Sequence, residues 1–427
     1  MNVLVIGSGG REHAIALQIN QSKNLSSLYC IPGNPGTETI ASNYNISLVD
    51  HSAISDFCIN NKIDLVVIGP EQPLVDGLSD HLRGKGFKVF GPSANAARIE
   101  SSKAFAKKIM NDANVPTAKY VEFSSSQIHE AIEYLEEIDY PTVIKADGLA
   151  AGKGVLICSN KSEAEAAITE IFEHKIFGDS GDKLIIEDFL VGEEASIFAV
   201  TDGEKFVCLP AAQDHKRIGE GDTGKNTGGM GAYAPAPIIT SELSLEIETK
   251  IIEPTLRQMR KTGNKFIGCL YVGLIITNSG PKVIEFNCRF GDPETQVVLP
   301  ILSGDFLRLL YSAADENLDL DAVHYSGGSS VCVVAASRGY PDEYKKGFQI
   351  TGTDLKDDEI IIYHSGTKRE ENKILTNGGR VLGVTSVLKT FDLITAQKKV
   401  YEAISKIHFE GLYFRKDIAD KALKYLK

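Results

Sequence analysis

The sequence predicts an α/β protein that begins with a parallel β-sheet. MNVLVIG, at residues 1–7, is an apolar run with the length of a buried strand, and REHAIALQINQS behind it predicts a helix. Further strands are expected at SLYCIPG, DLVVIGP and KVFGP, with a second helix at DGLSDHLRGK. Because strands that alternate with helices are typical of βαβ units, we expect the first 100 or so residues to form a parallel sheet.

The next stretch is expected to form one long helix and then a strand-rich region. ANAARIESSKAFAKKIMNDANV, at 94–115, predicts a single helix that ends at Val115, because the proline at 116 disfavours helical backbone before it. Beyond residue 117 the sequence predicts four strands and two helices. The strands are AKYVEF, PTVIKAD, GVLICS and KLIIEDFL, and the helices are SQIHEAIEYLEEI and SEAEAAITEIFEH.

The remainder of the chain is expected to contain strands, two helices and one long loop. ASIFAVT and KFVCLPAA predict strands, a helix is expected near 241–262, and a strand-rich segment follows through residue 290. SSVCVVAASRGY, EIIIYHSGT and GGRVLGVTSV predict strands before a final helix, LITAQKKVYEAISKI. Residues 217–237 are rich in glycine, and a loop of that length is usually functional or disordered.

Composition excludes several classes of function. The 427 residues carry a net charge of −12, which argues against general binding to nucleic acid or to a membrane surface. No apolar run reaches the roughly 18–20 residues of a membrane span, and no basic leader precedes the first strand. The seven scattered cysteines are typical of reduced thiols, so we expect a cytoplasmic protein.

KADGLAAGKGV, at 145–155, resembles a phosphate-binding loop without matching the Walker A pattern. Only three residues separate Gly148 from Gly152, and Gly154 stands where that pattern requires serine or threonine. The segments on both sides are predicted strands, so the loop joins two strands. A glycine-rich hairpin of this kind could cover phosphates with its backbone N–H groups, with Lys145 and Lys153 adding charge. A plain glycine turn is the alternative.

A second glycine loop, GSGGREH at 7–13, follows the first strand. Position 12 is glutamate where the dinucleotide fingerprint requires glycine, and the next strand does not end in an acid, so the sequence argues against a nicotinamide or flavin site. A strand, a glycine loop and a helix start in succession form a general anion site, which could hold a phosphate-bearing substrate. A tight structural turn is the alternative.

Polar residues at two predicted strand ends are candidates for nucleotide and metal binding. Glu285 and Asn287 lie two apart in VIEFNCRFGDPETQ, so their side chains share one face, and hard oxygen ligands suit Mg²⁺ held against phosphates. Arg289 is expected on the same face, where it could pair with a γ-phosphate; a solvated strand end is the alternative. In IIEDFLVGEEAS, carboxylates could accept from ribose hydroxyls, although an acidic turn is the default reading.

Three of these segments in this order, KADGLAAGKGV, EDFLVGEEAS and EFNCRFGDPETQ, resemble the ATP-grasp superfamily. A wider set resembles the phosphoribosylamine–glycine ligase family, also called glycinamide ribonucleotide synthetases. It consists of VLVIGSGGREHA, PGNPGT, VVIGPEQPLVDG, FGPS, QDHKR, GDTGKNTGGMGAY, RFGDPETQVVLP, GYP and TNGGRVLGVT. The matches run from residue 2 to about 386, and nine motifs in the family order are specific although each is modest alone.

The resemblance implies a domain organisation and a reaction. It implies an N-terminal βαβ domain (1–102), a two-lobed ATP-grasp domain (103–325, small lobe about 120–192) and a small mixed C-terminal domain (326–427). The implied reaction joins glycine to 5-phosphoribosylamine with ATP as co-substrate and Mg²⁺ or Mn²⁺ as cofactor, through glycyl phosphate, in purine biosynthesis. A monomer is expected. Another ATP-grasp carboxylate–amine ligase of purine synthesis is the alternative.

The resemblance also implies site residues. Those for ATP are Lys103, Lys145, Gly152, Lys153, Gly154, Glu187, Leu190, and Glu193 or Glu194. Those for the metal are Glu285 and Asn287, and those at the reacting centre are Lys145, Arg289 and Asp292. Those for the acceptor substrates are Gly9, Gly10, Arg11, Asn34, Asp214, Lys216, Arg217, Asn226, Gly229 and Met230. Residues 147–154 and 217–237 are expected to act as lids over the acyl phosphate.

Two positions depart from the family pattern. Many members have proline before Asn-Thr-Gly-Gly-Met-Gly, where this chain has Lys225. Many ATP-grasp enzymes outside the family carry an acid 12–13 residues before the Glu-x-Asn pair, where this chain has Val272 and Gly273. We therefore expect the metal to depend on phosphate oxygens and water for its other ligands.

Overall fold

The predicted parallel sheet forms the start of the chain in the computed structural model, which describes residues 1–149 and 154–426. Its strands are β1 (Asn2–Gly7), β2 (Ser27–Pro32), β3 (Ser42–Asn43), β4 (Leu65–Ile68) and β5 (Lys88–Phe90), in the order β3-β2-β1-β4-β5. All four pairings are parallel. Successive β1 residues enter two different hydrophobic cores, Val3 and Val5 on one face and Leu4 and Ile6 on the other. Both faces of the sheet are therefore covered, as parallel sheets require.

The helices around this sheet differ from prediction at one place. They are α1 (Gly10–Asn20), α2 (His51–Asn60), α3 (Glu71–Val75), α4 (Leu78–Gly84), α5 (Ala94–Ser101) and α6 (Lys103–Asp112). The expected single helix over 94–115 is wrong, because Ser102 has extended backbone (φ −136°, ψ 113°) and its hydroxyl accepts a hydrogen bond from the Phe105 N–H at 3.1 Å. Serine is a favoured N-cap residue, so a new helix begins after it.

A second, antiparallel sheet has its own hydrophobic core. Its strands are β6 (Tyr120–Ser124), β7 (Thr142–Ala146), β8 (Val155–Cys158) and β9 (Lys183–Asp188), in the order β6-β9-β7-β8. The helices α7 (Ile128–Tyr134) and α8 (Lys161–Phe172) pack on it, and Ile144, Ile168 and Ile186 lie in the shared core. Lys145 pairs with Val155, so KADGLAAGKGV connects two antiparallel strands as the sequence predicted.

The third sheet carries the strand with the Glu-x-Asn pair. It has the order β11-β10-β16-β17, formed by β10 (Glu193–Thr201), β11 (Phe206–Cys208), β16 (Gly268–Thr277) and β17 (Gly280–Asn287). Three helices follow or precede these strands, α9 (Ser241–Ile247), α10 (Glu253–Lys261) and α12 (Phe306–Ala314). Residues 248–252 form a π-helical turn between α9 and α10, so the helix predicted near 241–262 is present with an irregular centre.

The segment 217–237 is more ordered than a long loop. It follows β12 (Gln213–Asp214) and contains β13 (Arg217–Gly219), β14 (Thr223–Asn226) and β15 (Gly231–Ala234). β13 and β14 form a hairpin, whereas β15 is buried and pairs with β20. The expectation that the whole segment is a lid is therefore wrong for 231–234, since that part is a core strand.

The last part of the chain completes a six-stranded sheet. Its elements are α11 (Thr295–Val298), β18 (Leu302–Gly304), β19 (Val323–Tyr325), β20 (Ser329–Ser337), β21 (Ile360–His364), β22 (Thr367–Glu370), β23 (Lys373–Thr376), β24 (Arg380–Leu388), α13 (Leu393–Ile404), β25 (Leu412–Tyr413) and α14 (Asp420–Leu423). The sheet order is β12-β15-β20-β24-β21, with β25 beside β20. The sheet thus joins strands from both sides of residue 326, and the domain boundary expected there stays a prediction.

None of the described helices combines the length and the apolar composition that a membrane span needs.

Candidate active site

Glu285 and Asn287 lie on one face of β17 with the buried Phe286 between them. Both are half-buried, so their oxygens can reach a ligand. Gly273 on β16 pairs with Glu285, and a Cβ atom on Gly273 would lie 3.0 Å from the Glu285 Cγ atom. Glycine at 273 therefore leaves room for the Glu285 side chain.

Four cations surround Glu285. Loss of hydration alone would raise the pKa of Glu285, but the nearby positive charges lower it below its usual value. In decreasing order of effect, these charges are Lys216, Lys103, Lys145 and Arg289. The Lys216 ammonium lies 3.7 Å from the Glu285 carboxylate. The structure thus brings together residues from four separate parts of the sequence around one carboxylate.

The described residues of this region offer few protein ligands for a metal ion. No group of three or more His, Cys, Asp or Glu side chains in the described ranges is arranged to hold a metal ion. Glu285 and Asn287 supply hard oxygen donors of the kind that Mg²⁺ and Mn²⁺ accept. The pair fits an ion that takes its remaining ligands from phosphate and water.

Glu187 is buried between two lysines. Its carboxylate lies 3.0 Å from the Lys145 ammonium and 3.3 Å from that of Lys107. Lys145 also donates to the Ile284 carbonyl at 3.1 Å, directly beside Glu285 on β17. Lys107 was not predicted as a site residue. The only signal for it in the sequence is its position one helical turn after Lys103.

The base of the glycine-rich hairpin contacts the start of α6. The Lys103 ammonium donates to the Gly148 carbonyl at 3.3 Å. The Asp147 carboxylate accepts from the Ala104 N–H at 3.0 Å and from the Ser102 hydroxyl at 3.2 Å. A carboxylate at a helix N-terminus is stabilised by the helix dipole. These contacts hold Asp147 and Gly148 against the start of α6.

Two predicted residues of this hairpin, Gly152 and Lys153, lie outside the described residues. Gly154 is described: it is buried, and its carbonyl accepts from the Ala146 N–H at 2.9 Å.

Arg289 is held by two carboxylates. Its guanidinium donates to Glu71 on α3 at 3.2 Å and to Glu100 on α5 at 3.1 Å. Burial would lower the pKa of Arg289, but these carboxylates raise it, so the side chain stays charged. These two bonds join α3 and α5 to the end of β17. The expected pairing of Arg289 with a γ-phosphate stays a prediction.

Asp292 and Arg380 form the centre of a second cluster. Arg380 lies 3.1 Å from the Asp292 carboxylate, donates to the Asp292 carbonyl at 2.8 Å, and also donates to the Gly228 carbonyl. Gln296 donates to the other carboxylate oxygen of Asp292 at 2.7 Å. A Cβ atom on Gly229 would lie 2.4 Å from the Pro293 ring, so the glycine run fits closely against 292–293.

Arg380 is a residue that sequence reasoning missed. It stands in the motif TNGGRVLGVT, which contributed to the family resemblance without being given a role.

Lys216 belongs to the cluster around Glu285, and its carbonyl accepts from the Thr227 N–H at 2.7 Å, next to the Gly228 that Arg380 contacts. Its ammonium lies 2.9 Å from Glu194 and 3.7 Å from Glu285. Burial raises the pKa of the neighbouring Asp214, although the charge of Lys216 opposes that shift. Arg217 and Asn226 pair in the β13–β14 hairpin. Met230 is completely buried in the hydrophobic core, so the structure does not bring its side chain to the site.

The anion site expected at the first glycine loop is already filled. The Glu12 carboxylate turns back to the loop, where it accepts from the Gly9 N–H at 2.6 Å and pairs with Arg11 at 2.5 Å. A Cβ atom on Gly10 would lie 2.4 Å from the Ser365 hydroxyl and 2.7 Å from the Gln296 amide nitrogen. In this structure Glu12 takes the helix N-terminus that an anion would use. Binding of a ribose phosphate by Gly9, Gly10 and Arg11 stays a prediction.

Asn34 is likewise used within the protein. Its side-chain amide donates to the Ser8 and His364 carbonyls, both at 2.8 Å, and its oxygen accepts from the backbone of Gly36 and Thr37. It thereby ties the first sheet to the end of β21, and it is 5% exposed. These bonds give Asn34 a role in holding the fold, and its contact with substrate stays a prediction.

Models of one family match along the chain. The phosphoribosylglycinamide synthetase N domain matches residues 1–100, the ATP-grasp (A) domain residues 101–295 and the C domain residues 330–421. The chain belongs to the phosphoribosylglycinamide synthetase family.

Relatives of known name agree with this assignment. Phosphoribosylamine–glycine ligase from Caldanaerobacter subterraneus is 46% identical over 419 residues, which cover 98% of this chain and 99% of that protein. The crystal structure of phosphoribosylamine–glycine ligase from Thermotoga maritima superposes with a TM-score of 0.83 at 33% identity, covering 98% of this chain and 100% of that one.

The biotin carboxylase domain of Hydrogenobacter thermophilus 2-oxoglutarate carboxylase has a TM-score of 0.74 at 15% identity and covers 100% of this chain and 98% of that one. That likeness shows the shared ATP-grasp fold.

The ATP-grasp-like segment EDFLVGEEAS contains two glutamates that the structure separates. Glu194 lies with Lys216, as given above. Glu193 faces the other side of β10, where it accepts from the Tyr425 hydroxyl at 2.8 Å and pairs with Lys424. Alternation along a strand explains the separation. Of the two predicted residues, only Glu194 lies in the cluster; Leu190 is half-buried in the connection between β9 and β10.

Lys225, where this chain departs from the phosphoribosylglycinamide synthetase pattern, has an acidic partner in the structure. The Lys225 ammonium pairs with Asp342 at 2.8 Å, and both side chains are largely exposed. An exposed pair of this kind contributes little to stability, about 0–1 kcal/mol.

The tight fit around Glu12 gives a test of packing at the first glycine loop. A Cβ atom on Gly69 would lie 2.3 Å from the Glu12 carboxylate. We expect Gly69→Ala to lower the free energy of unfolding by about 1–3 kcal/mol, the usual effect of overpacking. Gly84→Ala is the control, because nothing lies within 4 Å of its added Cβ atom. Urea denaturation measures both, and equal stabilities would contradict the packing argument.

Proposed function

We propose that the chain catalyses the ATP-dependent joining of glycine to 5-phosphoribosylamine, with glycinamide ribonucleotide, ADP and phosphate as products. The observation that carries the proposal is the positive charge around Glu285, which lies two residues before Asn287 on the same strand. The four cations are Lys103, Lys145, Lys216 and Arg289. Positive charge around a pair of hard oxygen donors suits the phosphates of ATP. The family assignment selects the acceptors.

The chemistry requires activation of a carboxylate. Glycine's carboxylate is a poor electrophile, and transfer of the γ-phosphoryl group to its oxygen gives glycyl phosphate and ADP. The neutral amine of phosphoribosylamine then attacks the carbonyl carbon, the C–N bond forms, phosphate leaves, and the amine loses a proton. Phosphoryl transfer depends mainly on positioning and charge neutralisation, so a protein nucleophile is not needed.

The residues divide into two groups by location. We assign Lys103, Lys145 and Glu194 to the nucleotide, and Glu285 with Asn287 to the metal. A bound Mg²⁺ or Mn²⁺ ion would neutralise phosphate charge at that pair. Arg289 is placed beside this pair, where exchange of its carboxylate partners for phosphate would bring its charge to the reaction.

The acceptor half would lie at the Asp292 and Arg380 cluster. The 226–229 segment adjoins it, because Arg380 donates to the Gly228 carbonyl. Lys216 lies next to that segment, since its carbonyl accepts from the Thr227 N–H at 2.7 Å, and we assign Lys216 and Asp214 to the same half. We place the protein in the cytoplasm, because its seven cysteines are free thiols. We propose a monomer.

The test is an ADP-release assay with purified protein. ATP, Mg²⁺, glycine and freshly generated phosphoribosylamine are combined, and each acceptor is left out in turn. We expect ADP release that depends on both acceptors, with glycinamide ribonucleotide as product. Release that needs neither acceptor, or release with a different amine alone, would contradict the proposal.

Arg380→Met tests the acceptor half. Because Arg380 fixes the Asp292 carboxylate and the Gly228 backbone, we expect kcat/KM for phosphoribosylamine to fall about 10²-fold, the effect of displacing a reacting group by about 1 Å. The KM for ATP should change little. Arg338→Met, at an exposed arginine just after β20, is the matched control. An equal loss for ATP and phosphoribosylamine would show that Arg380 does not belong to the acceptor half.

A further inference from the structure

Lys107 is a buried lysine outside the residues assigned above to ATP. It lies on α6, is 2% exposed, and donates to the Thr117 hydroxyl at 2.8 Å and to the Ala118 carbonyl at 3.2 Å. Its ammonium also lies 3.3 Å from Glu187 and 5.1 Å from the centre of the Tyr120 ring. A lysine is rarely buried so completely unless it is paired with an acid. For Lys107 that acid is Glu187.

The pairing of Lys107 is unequal in charge. Glu187 is shared with Lys145, so the buried cluster holds two ammonium groups and one carboxylate. Within these three residues Glu187 is therefore the shared acidic partner of both lysines, and Lys145 also acts on Glu285. Burial lowers the pKa of Lys107 to about 8, although the charge of Glu187 opposes that shift.

The cluster spans two parts of the fold. Lys107 belongs to α6, whereas Glu187 and Lys145 lie on β9 and β7 of the small antiparallel sheet. The connecting segment 116–118 is tied to β17, since the Thr117 hydroxyl donates to the Val283 carbonyl at 2.8 Å and the Val283 N–H donates to the Pro116 carbonyl at 2.8 Å. Lys145 reaches the same strand at Ile284. Lys107 thus connects α6, the connecting segment and the small sheet next to Glu285.

We propose that Lys107 is a positioning residue for the nucleotide: it holds one oxygen of Glu187, so that the charge of Lys145 remains available to the phosphates beside Glu285. Without Lys107, Glu187 would neutralise Lys145 alone and one carboxylate oxygen would be buried without a cation. The inference rests on the proposed function for the identity of the anion. It acts through Glu187, and Lys107 itself does not touch the substrate.

The experiment compares Lys107→Met with Lys107→Arg and Lys108→Met. Lys108 is the adjacent residue of the same helix, is 72% exposed and pairs only with Asp112 among its described neighbours, so it is a matched control. Dissociation constants for ATP with Mg²⁺ are measured by calorimetry without acceptors, and KM values for ATP and glycine by ADP release. We expect Lys107→Met to weaken ATP binding about 10-fold or more, the effect of one charge-assisted contact, with the KM for glycine nearly unchanged. Lys107→Arg should recover most of the loss, and Lys108→Met should behave as wild type.

A second comparison isolates the route through Glu187. Since Lys107 acts by balancing that carboxylate, adding Glu187→Gln to Lys107→Met should restore part of the lost ATP affinity. Lys107→Gln, which can still donate to Thr117, replaces Lys107→Met if the latter does not fold.

Unchanged ATP affinity in a folded Lys107 variant would overturn the proposal, as would equal losses for ATP and glycine or a double variant weaker than the single one. Failure of the proposed function is distinct, because the wild type would then lack ADP release dependent on both acceptors while the calorimetric comparison remained measurable.

Discussion

Glu285→Gln is expected to lower turnover at least about 10³-fold, equivalent to about 4 kcal/mol of transition-state stabilisation. The substitution keeps the size of the side chain and removes its charge. Glu285 is the only carboxylate placed both beside Asn287 and among the cations of Lys216, Lys103, Lys145 and Arg289 in the described part of the chain. Without it, a divalent ion loses its charged protein ligand and the cations repel one another.

The measurement is ADP release at increasing Mg²⁺ concentration, together with circular dichroism to establish folding. We expect the apparent requirement for Mg²⁺ to rise along with the loss of rate, because the metal is bound less tightly. Glu253→Gln is the control for the change in net charge, since that glutamate begins α10 and its side chain is 58% exposed. A Glu285→Gln protein with a normal rate and a normal Mg²⁺ requirement would show that the metal lies elsewhere.

Lys145→Met is expected to lower kcat/KM for ATP about 10²–10³-fold, the usual range for one preorganised donor at a reacting group. Lys145 is buried, lies 3.0 Å from Glu187 and donates to the Ile284 carbonyl at 3.1 Å. It therefore brings positive charge from the small sheet to the strand that carries Glu285. Its loss removes a phosphate contact and leaves Glu187 with only Lys107 as a partner.

The loss should appear in the nucleotide half of the reaction, so the KM for phosphoribosylamine is expected to change little at saturating ATP. Lys183→Met is the matched control on β9 of the same sheet, because that lysine is 51% exposed and pairs with Glu122 at 2.6 Å. Similar effects of the two substitutions would indicate a general weakening of the small sheet. A difference confined to Lys145 would support its assignment to the nucleotide.

Periodicity and short motifs accounted for much of the fold. The parallel sheet at the start, the antiparallel hairpin around KADGLAAGKGV and the strand with Glu285 and Asn287 follow from apolar runs and their spacing. The family resemblance, which depended on nine motifs in order, is confirmed by the matching family models. These features could be predicted because each is encoded within a few consecutive residues.

Errors arose where a local signal competed with the predicted pattern. The helix over 94–115 divides because Ser102 caps a new helix, a preference that the continuous apolar spacing concealed. The glycine-rich segment 217–237 contains a buried strand, since Gly231–Ala234 pairs with β20 from about 100 residues later. The glycine content of the segment favoured a loop. Residues 231–234 form a strand because they pair with β20, which the local sequence does not reveal.

The sequence by itself determined the family, the fold class and the residue types of the candidate site. The tertiary structure decided which of those residues are free to meet a ligand. Glu12 and Asn34 are used within the protein, Glu193 faces the C-terminal residues, and Lys107 and Arg380 enter the clusters. The reason is that a polar side chain's availability depends on the distant groups that pack against it. Those partners, such as Lys424 for Glu193, are brought near only by folding.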